Sequence, residues 1–294
     1  LLRALGSLRQ RLKNWRIDAG KMKTLKNEIK FSGVGLHSGI KSEVTLIPSS
    51  LPGIRFMTKN GCYKSSEASV EEDSRLTGFR LPDGTLVRTA EHLLASIIGM
   101  GLGSVVIALE GEEVPILDGS SYPFACAIHE TGFSHVDTEN SFYAVAAPVA
   151  VDDFCGGRIM CALPSLEMRV TYVIDYSGTP VGTQRVSYAI SDDIFLDTIS
   201  RARTFGLTKE LDYLKKSNLA KGGSLENALV FDENGLLNEG GLRFPLECVT
   251  HKVIDLLGDL ALMDFVPTAH YVGICAGHAM HGKLVERLKR IIHG

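Results

Sequence analysis

The spacing of apolar and polar positions switches from strand-like to helix-like twice along the chain, in the same order each time. From Thr24 to Pro48 the period is two, with Ile29-Lys-Phe31 and Ser42-Glu-Val-Thr-Leu-Ile47 as short strands about a Gly33-Val-Gly35 turn. Residues 50–88 continue as short strands punctuated by Pro52-Gly53 and Asp83-Gly84. A helix is expected over about 89–100, closed by Gly99-Met-Gly-Leu-Gly103, and the β-branched run Ser104–Leu109 reads as a buried strand. The stretch Val114–Phe124 is a loop leading into a helix that reaches about residue 131. Near residue 140 the pattern restarts, with strands at 143–151, 157–163, 167–176 and 183–190. Helices at 192–200 and 208–216, a strand at 228–231, a helix around His251, a strand from His270 to Ala276 and a helix at 278–292 complete it. Strands then helices, twice, in halves of similar size, predict an α+β fold of two domains. Each would be a helix layer on a mainly antiparallel sheet, covering 22–142 and 143–294, behind a basic extension at 1–21.

The helix around His251 breaks the usual amphipathic pattern. Val253, Ile254, Leu256, Leu257 and Leu260 spread apolar surface round most of it, so it should be buried. Yet His251, Asp255 and Asp259 recur every four residues and share one side. An isolated H-x3-D pair more often lies on a solvated face. Here little solvent-facing helix surrounds it, and an imidazole with two carboxylates is costly to bury without partners. A divalent cation is the simplest partner, because it satisfies a neutral imidazole and a carboxylate one turn apart. A metal site that does chemistry also needs a third protein ligand and an open position for water. The best candidate lies in Thr89-Ala-Glu91-His92-Leu-Leu-Ala-Ser-Ile-Ile. His92 would complete a set of two His and one carboxylate, and Glu91 beside it would act as base toward water. Alone, such a His is more often a capping or packed side chain.

Composition narrows the class. The 294 residues, 45% hydrophobic and 22% charged, describe a soluble globular protein with room for two cores. A net charge of -3 argues against nucleic-acid binding. Six cysteines without C-x-x-C spacing read as reduced thiols of a cytoplasmic protein, and no apolar run is long enough to span a membrane. The first 26 residues carry eight Lys/Arg against Asp18 alone, interspersed with leucines, and lack the apolar core and cleavage site of a signal peptide. They read as an extension ahead of Met22, with weak peripheral contact to an anionic membrane surface as the alternative.

With both His-bearing stretches in view, the chain resembles the zinc-dependent UDP-3-O-acyl-N-acetylglucosamine deacetylases of lipid A synthesis over about residues 22–292. The matching text is Gly33-Val-Gly-Leu-His-Ser-Gly39, Thr89-Ala-Glu-His-Leu-Leu-Ala95, Pro115-Ile-Leu-Asp-Gly119, Arg203-Thr-Phe-Gly206, Lys221-Gly-Gly-Ser224, His251-Lys-x-x-Asp-x-x-Gly-Asp259 and Gly277-His278. Any one of these is weak; the set, in this order, is specific. The resemblance implies two domains with the active site between them, and there one catalytic Zn2+, with Fe2+ as the alternative ion in the cell, held by His92, His251 and Asp255. It further implies Glu91 as general base, Thr204 as oxyanion stabiliser, His278 as general acid oriented by Asp259, and Lys252 and Phe205 as substrate contacts. The substrate would be the acylated UDP-sugar, and the enzyme a monomer. One departure follows His278: His281-Gly282 precede Lys283-Leu284 where the family often carries an Asn pair.

For the UDP group, Lys252, Lys221, Arg203 or the Gly222-Gly223 turn could supply donors, and the segment 208–229 could line an acyl groove. His270, His281, His129, His135 and His293 are left unassigned, each without a second chemical partner in its segment. Two rivals remain. Non-haem Fe(II) oxygenases share the two-His, one-carboxylate set but usually present it on a β-barrel. A non-enzymatic sugar-nucleotide binding protein with a structural metal would need a closed, four-coordinate and usually Cys-rich site. The metalloprotease H-E-x-x-H and the zinc deaminase pattern are absent.

Overall fold

The computed structural model describes residues 21–70, 78–139, 143–210, 219–263 and 265–293. The basic extension up to residue 20, the boundary expected near 142 and most of the helix expected at 208–216 lie outside these residues. The first half carries β1 (Lys21–Leu25), β2 (Ile29–Val34), β3 (Lys41–Pro48), β4 (Gly53–Met57), β5 (Cys62–Lys64), β6 (Ser69–Val70), β7 (Gly78–Arg80) and β8 (Leu86–Arg88). Helix α1 (Glu91–Gly99), strand β9 (Ser104–Glu110), helix α2 (Tyr122–Thr131) and strand β10 (Phe133–Glu139) follow. The second half carries β11 (Val149–Asp153), β12 (Arg158–Leu163), β13 (Arg169–Tyr176), β14 (Gly182–Ala189), helix α3 (Asp192–Asp197), β15 (Phe205–Leu207) and β16 (Leu229–Phe231). Helix α4 (Glu247–Leu260), strand β17 (His270–Ile274) and helix α5 (His278–His293) close it.

The fold is α+β, with sheets that are mostly antiparallel. Two five-stranded sheets dominate, in the orders β2-β3-β9-β4-β5 and β11-β12-β17-β13-β14. Strand for strand they share one topology: in each, only the third and fourth neighbours run parallel, β9 with β4 and β17 with β13. A parallel pair needs a crossover connection. The two crossovers carry α1 and α4, which therefore occupy equivalent places in the two halves. Period-two burial builds each sheet: β3 buries Ser42, Val44 and Leu46, and β13 buries Val170, Tyr172 and Ile174. At roughly 1.5–3 kcal/mol for each large apolar side chain removed from water, this alternation fixes the strand register.

Three sequence expectations change. The strand expected from 143 starts only at Val149, just after Pro148, a residue that cannot donate to a ladder. The helix expected over 192–200 stops at Asp197 and gives way to a 3-10 turn at Ile199–Arg201, because Thr198 leaves helical geometry. Strand β10, antiparallel to β1, went unforeseen; it forms a two-stranded ribbon with a weak apolar pattern.

Helix α4 is buried at every position except Lys252, and it packs along α1. Gly258 is the reason the two helices approach so closely. A Cβ there would meet the Glu91 carbonyl oxygen at 2.4 Å and its Cα at 2.6 Å. The helix that carries His251 thus touches the backbone on which Glu91 and His92 stand. Gly258→Ala is expected to destabilise the fold by about 1–3 kcal/mol through overpacking. Thermal denaturation reads this, and an unchanged melting temperature would show that the helices can part freely.

Candidate active site

Each helix that bears a site residue follows a non-glycine residue in the left-handed region: Thr89 (φ 53°) before α1, Leu246 (φ 64°) before α4 and Cys275 (φ 48°) before α5. Such conformations are strained for side chains with a Cβ and persist only where surroundings impose them. For Thr89 the surroundings are visible. Its hydroxyl donates to Glu113 Oε1 at 2.8 Å, and the same carboxylate accepts the backbone N–H groups of His37 and Ser38. The glycine-flanked turn read from sequence at 33–39 is therefore a clamp that sets the entry of α1.

At the α1–α4 contact, His92 Nε2 lies 3.2 Å from His251 Nε2, and His251 Nε2 lies 3.3 Å from Asp255 Oδ1. His251 Nδ1 sits 2.9 Å from the Ala202 carbonyl, which can only accept, so Nδ1 carries the proton and Nε2 the lone pair. Burial holds both imidazoles below their ordinary pKa, His92 at about 3, so neither is protonated near neutrality. A proton on His92 Nε2 could satisfy only one of the two acceptors it faces. A dication satisfies all three groups. The observed separations of 3.2 and 3.3 Å match the edge of a tetrahedron, about 3.3 Å for ligand bonds of about 2.0 Å. The three side chains fit a zinc-like ion. Asp255 Oδ2 is held from the other side by Lys252 Nζ at 2.8 Å, which keeps the carboxylate ionised and its Oδ1 turned toward the imidazoles.

Glu91 stands beside this cluster. It is buried, and among the described residues its Oε2 has no hydrogen-bond partner. Burial raises its pKa to about 7, against the opposing pull of His278. On the far side, His278 Nε2 lies 3.9 Å from Asp255 Oδ2 while its Nδ1 lies 2.7 Å from Asp259 Oδ2. Burial alone would lower this imidazole; the charges of Asp259, Asp255 and Glu91 outweigh it and raise the pKa to about 9. The cleft thus holds a carboxylate poised to take a proton and an imidazolium poised to give one.

Substrate-contact candidates flank the same helix. Lys252 Nζ lies 5.5 Å from the Phe205 ring centroid, and Phe205 meets Tyr176 edge-on at 5.5 Å between centroids. A cavity of about 430 Å³ opens here, walled by Arg158, Tyr176, Lys252 and Cys275. Thr204 is half-buried, its N–H donating to the Gly119 carbonyl at 2.7 Å and its carbonyl accepting from Leu229 at 2.8 Å. Arg203, offered above as a donor for the nucleotide, is spent elsewhere. It forms a two-pronged ion pair with the fully buried Glu247, Nε to Oε1 at 2.8 Å and Nη2 to Oε2 at 3.1 Å. That pair fastens the 201–206 segment to the first turn of α4.

A sequence model of the family described as UDP-3-O-acyl N-acetylglycosamine deacetylase matches residues 22–290. The chain belongs to this family. Curated members named UDP-3-O-acyl-N-acetylglucosamine deacetylase resemble it along nearly their whole length. The Saccharophagus degradans protein is 36% identical over 277 residues, covering 92% of this chain and 91% of its own. The Pseudomonas entomophila protein is 38% identical over 276 residues, covering 91% and 90%. That of Oleidesulfovibrio alaskensis is 36% identical over 271 residues, covering 90% and 88%.

Within this family member the structure brings His92, His251, Asp255, Glu91, Asp259 and His278 into one cluster, with Lys252 and Phe205 at its edge. Two histidines left unassigned from the sequence find partners on neighbouring elements. His281 has two close partners: its Nδ1 lies 2.7 Å from Asp259 Oδ2 and its Nε2 2.8 Å from the Tyr172 hydroxyl. His270 Nε2 meets Thr171 Oγ1 at 2.8 Å across the β13–β17 pair. The i, i+3 spacing of His278 and His281 on one helix could have revealed the first. Glu113, Glu247 and Tyr172 gave no such signal, since their partners lie on other elements.

Proposed function

We propose that the protein removes the N-acetyl group of UDP-3-O-acyl-N-acetylglucosamine by hydrolysis, giving UDP-3-O-acyl-glucosamine and acetate, an early committed step of lipid A synthesis. The observation that carries this reading is the convergence of His92, His251 and Asp255 on one point, with Glu91 and His278 beside it. Zn2+ bound by those three residues would supply Lewis acidity, making a water more acidic and polarising the acetamide carbonyl. Glu91 takes the proton of the attacking water. The Thr204 hydroxyl donates to the oxyanion as charge develops on it. His278 delivers its Nε2 proton to the sugar nitrogen as the C–N bond breaks, while Asp259 holds its Nδ1. Lys252 and Arg158 offer cations to the diphosphate, while Asp175 on the same wall is occupied by Ser177 and Thr183.

A purely structural metal is disfavoured because the cluster supplies three protein ligands, and among the described residues no cysteine joins it. In this reading the enzyme acts as a cytoplasmic monomer, and its basic residues 1–21 are the candidate for contact with anionic lipid. Among the described residues no helix is long and apolar enough to cross a membrane.

Acetate release from the acylated UDP-sugar by zinc-loaded protein tests the reading; an inactive, fully metallated protein would refute it. His92→Ala should leave the purified protein without stoichiometric zinc by elemental analysis. Full zinc occupancy in that variant would place the ligand elsewhere.

A further inference from the structure

Asp259 Oδ2 receives two imidazoles at once, His278 Nδ1 and His281 Nδ1, each at 2.7 Å. A carboxylate only accepts, so both Nδ1 atoms carry protons. His281 is fully buried, and its Nε2 faces the hydroxyl of the equally buried Tyr172 at 2.8 Å. The tyrosine has one proton to give, and burial keeps it a phenol. Its donation to Nε2 therefore fixes the neutral His281 tautomer that donates from Nδ1. The tyrosine ring is itself accommodated by design of the sheet. Tyr172 on β13 stands opposite Gly273 on β17, where a Cβ would come within 2.6 Å of the ring. A hydrogen-bonded line thus runs from the sheet through Tyr172, His281 and Asp259 to His278, and the deacetylase reading gives no role to its inner half.

We propose that His281 is a positioning residue for His278: held by Tyr172, it supplies Asp259 with a second N–H and so fixes the carboxylate in the rotamer that aims His278 Nε2 into the cleft. This rests on the deacetylase reading for its kinetic consequence and on geometry alone for its structural one. Two N–H groups on one oxygen restrict the carboxylate more than one does, and orienting partners of this kind are typically worth about 10–100-fold in activity.

The test uses the zinc-loaded full chain with three variants. His281→Leu removes the donor and keeps the volume. His281→Asn restores an N–H toward Asp259 and gives up the reach to Tyr172. Tyr172→Phe leaves the imidazole and frees its tautomer. Expected for His281→Leu is a fall in kcat of roughly 10–100-fold with KM within about twofold and zinc retained. His281→Asn should recover most of that loss, and Tyr172→Phe should lose about threefold or more. An unchanged kcat in His281→Leu, equal losses in kcat and zinc, or no rescue by Asn would overturn the proposal. If His281→Leu does not fold, a Tyr172→Phe protein with wild-type kcat would overturn it instead. Side-chain 1H–15N spectra read the arrangement without turnover. Wild type should show two downfield Nδ1–H protons, and the His278 proton should broaden in His281→Leu. If these spectra behave as expected and no acetate is released, the deacetylase reading fails and the positioning stands; acetate release with unperturbed spectra and kcat removes the positioning alone.

Discussion

Replacing Glu91 by Gln is expected to lower turnover by roughly two or more orders of magnitude while zinc stays bound, the signature of losing a general base. The same change should strengthen the metal-free fold. Glu91 is buried with an unpartnered Oε2, and its pKa is raised from 4.5 to about 7 in the folded chain. A carboxyl raised on folding is destabilising once ionised: nothing is lost below the unfolded value, and the full penalty applies above the folded one. Wild type and Glu91→Gln should therefore melt alike below about pH 4.5, diverge as pH rises from there to about 7, and stay apart above it by about 3 kcal/mol at most. Melting curves of chelator-treated protein at the two ends of that window check the sign. A variant that keeps wild-type kcat removes Glu91 from the chemistry, and one that melts lower at high pH refutes the burial argument. Activity and stability are expected to move in opposite directions at this one position.

His278→Ala is the second large effect, expected at roughly 10²–10⁴-fold in kcat/KM. Its diagnostic value lies in the pH profile. The proposed mechanism requires Glu91 ionised and His278 protonated, so kcat/KM should rise as pH passes the Glu91 value of about 7 and fall as it passes the His278 value of about 9. A bound dication lowers both limbs and keeps their order. Removing His278 should abolish the alkaline limb and leave a profile that rises to a plateau. A bell that persists in His278→Ala would assign the proton donor elsewhere.

Much of the candidate site was legible because its proposed ligands obey local periodicity. His251, Asp255 and Asp259 repeat every four residues, and the apolar positions around them announced a helix buried on nearly every side, as α4 is. The α+β class was legible for a similar reason, since period two and period 3.6 alternate in long blocks. What stayed hidden depends on pairs distant in sequence. Arg203 looked like a ligand-binding cation until Glu247, forty-four residues on, was seen to occupy it. Thr89 reads as an ordinary residue before a helix, and nothing local indicates its left-handed backbone or its tether to Glu113. His281 was discounted because its partners, Asp259 and Tyr172, lie on other elements. Strand β10 escaped because Val136 is the one residue buried along 133–138, so its alternation carries little apolar contrast.

The equivalence of the two crossovers has a consequence for lineage. His92 comes from one repeat of the sheet topology, His251 and Asp255 from the other, so neither unit by itself can present three ligands. A hypothetical ancestor with a single unit could have assembled a comparable centre only by self-association, face to face across a twofold axis. Two such units within one chain are free to differ, and here one contributes Glu91 while the other contributes His278 with its hydrogen-bonded support.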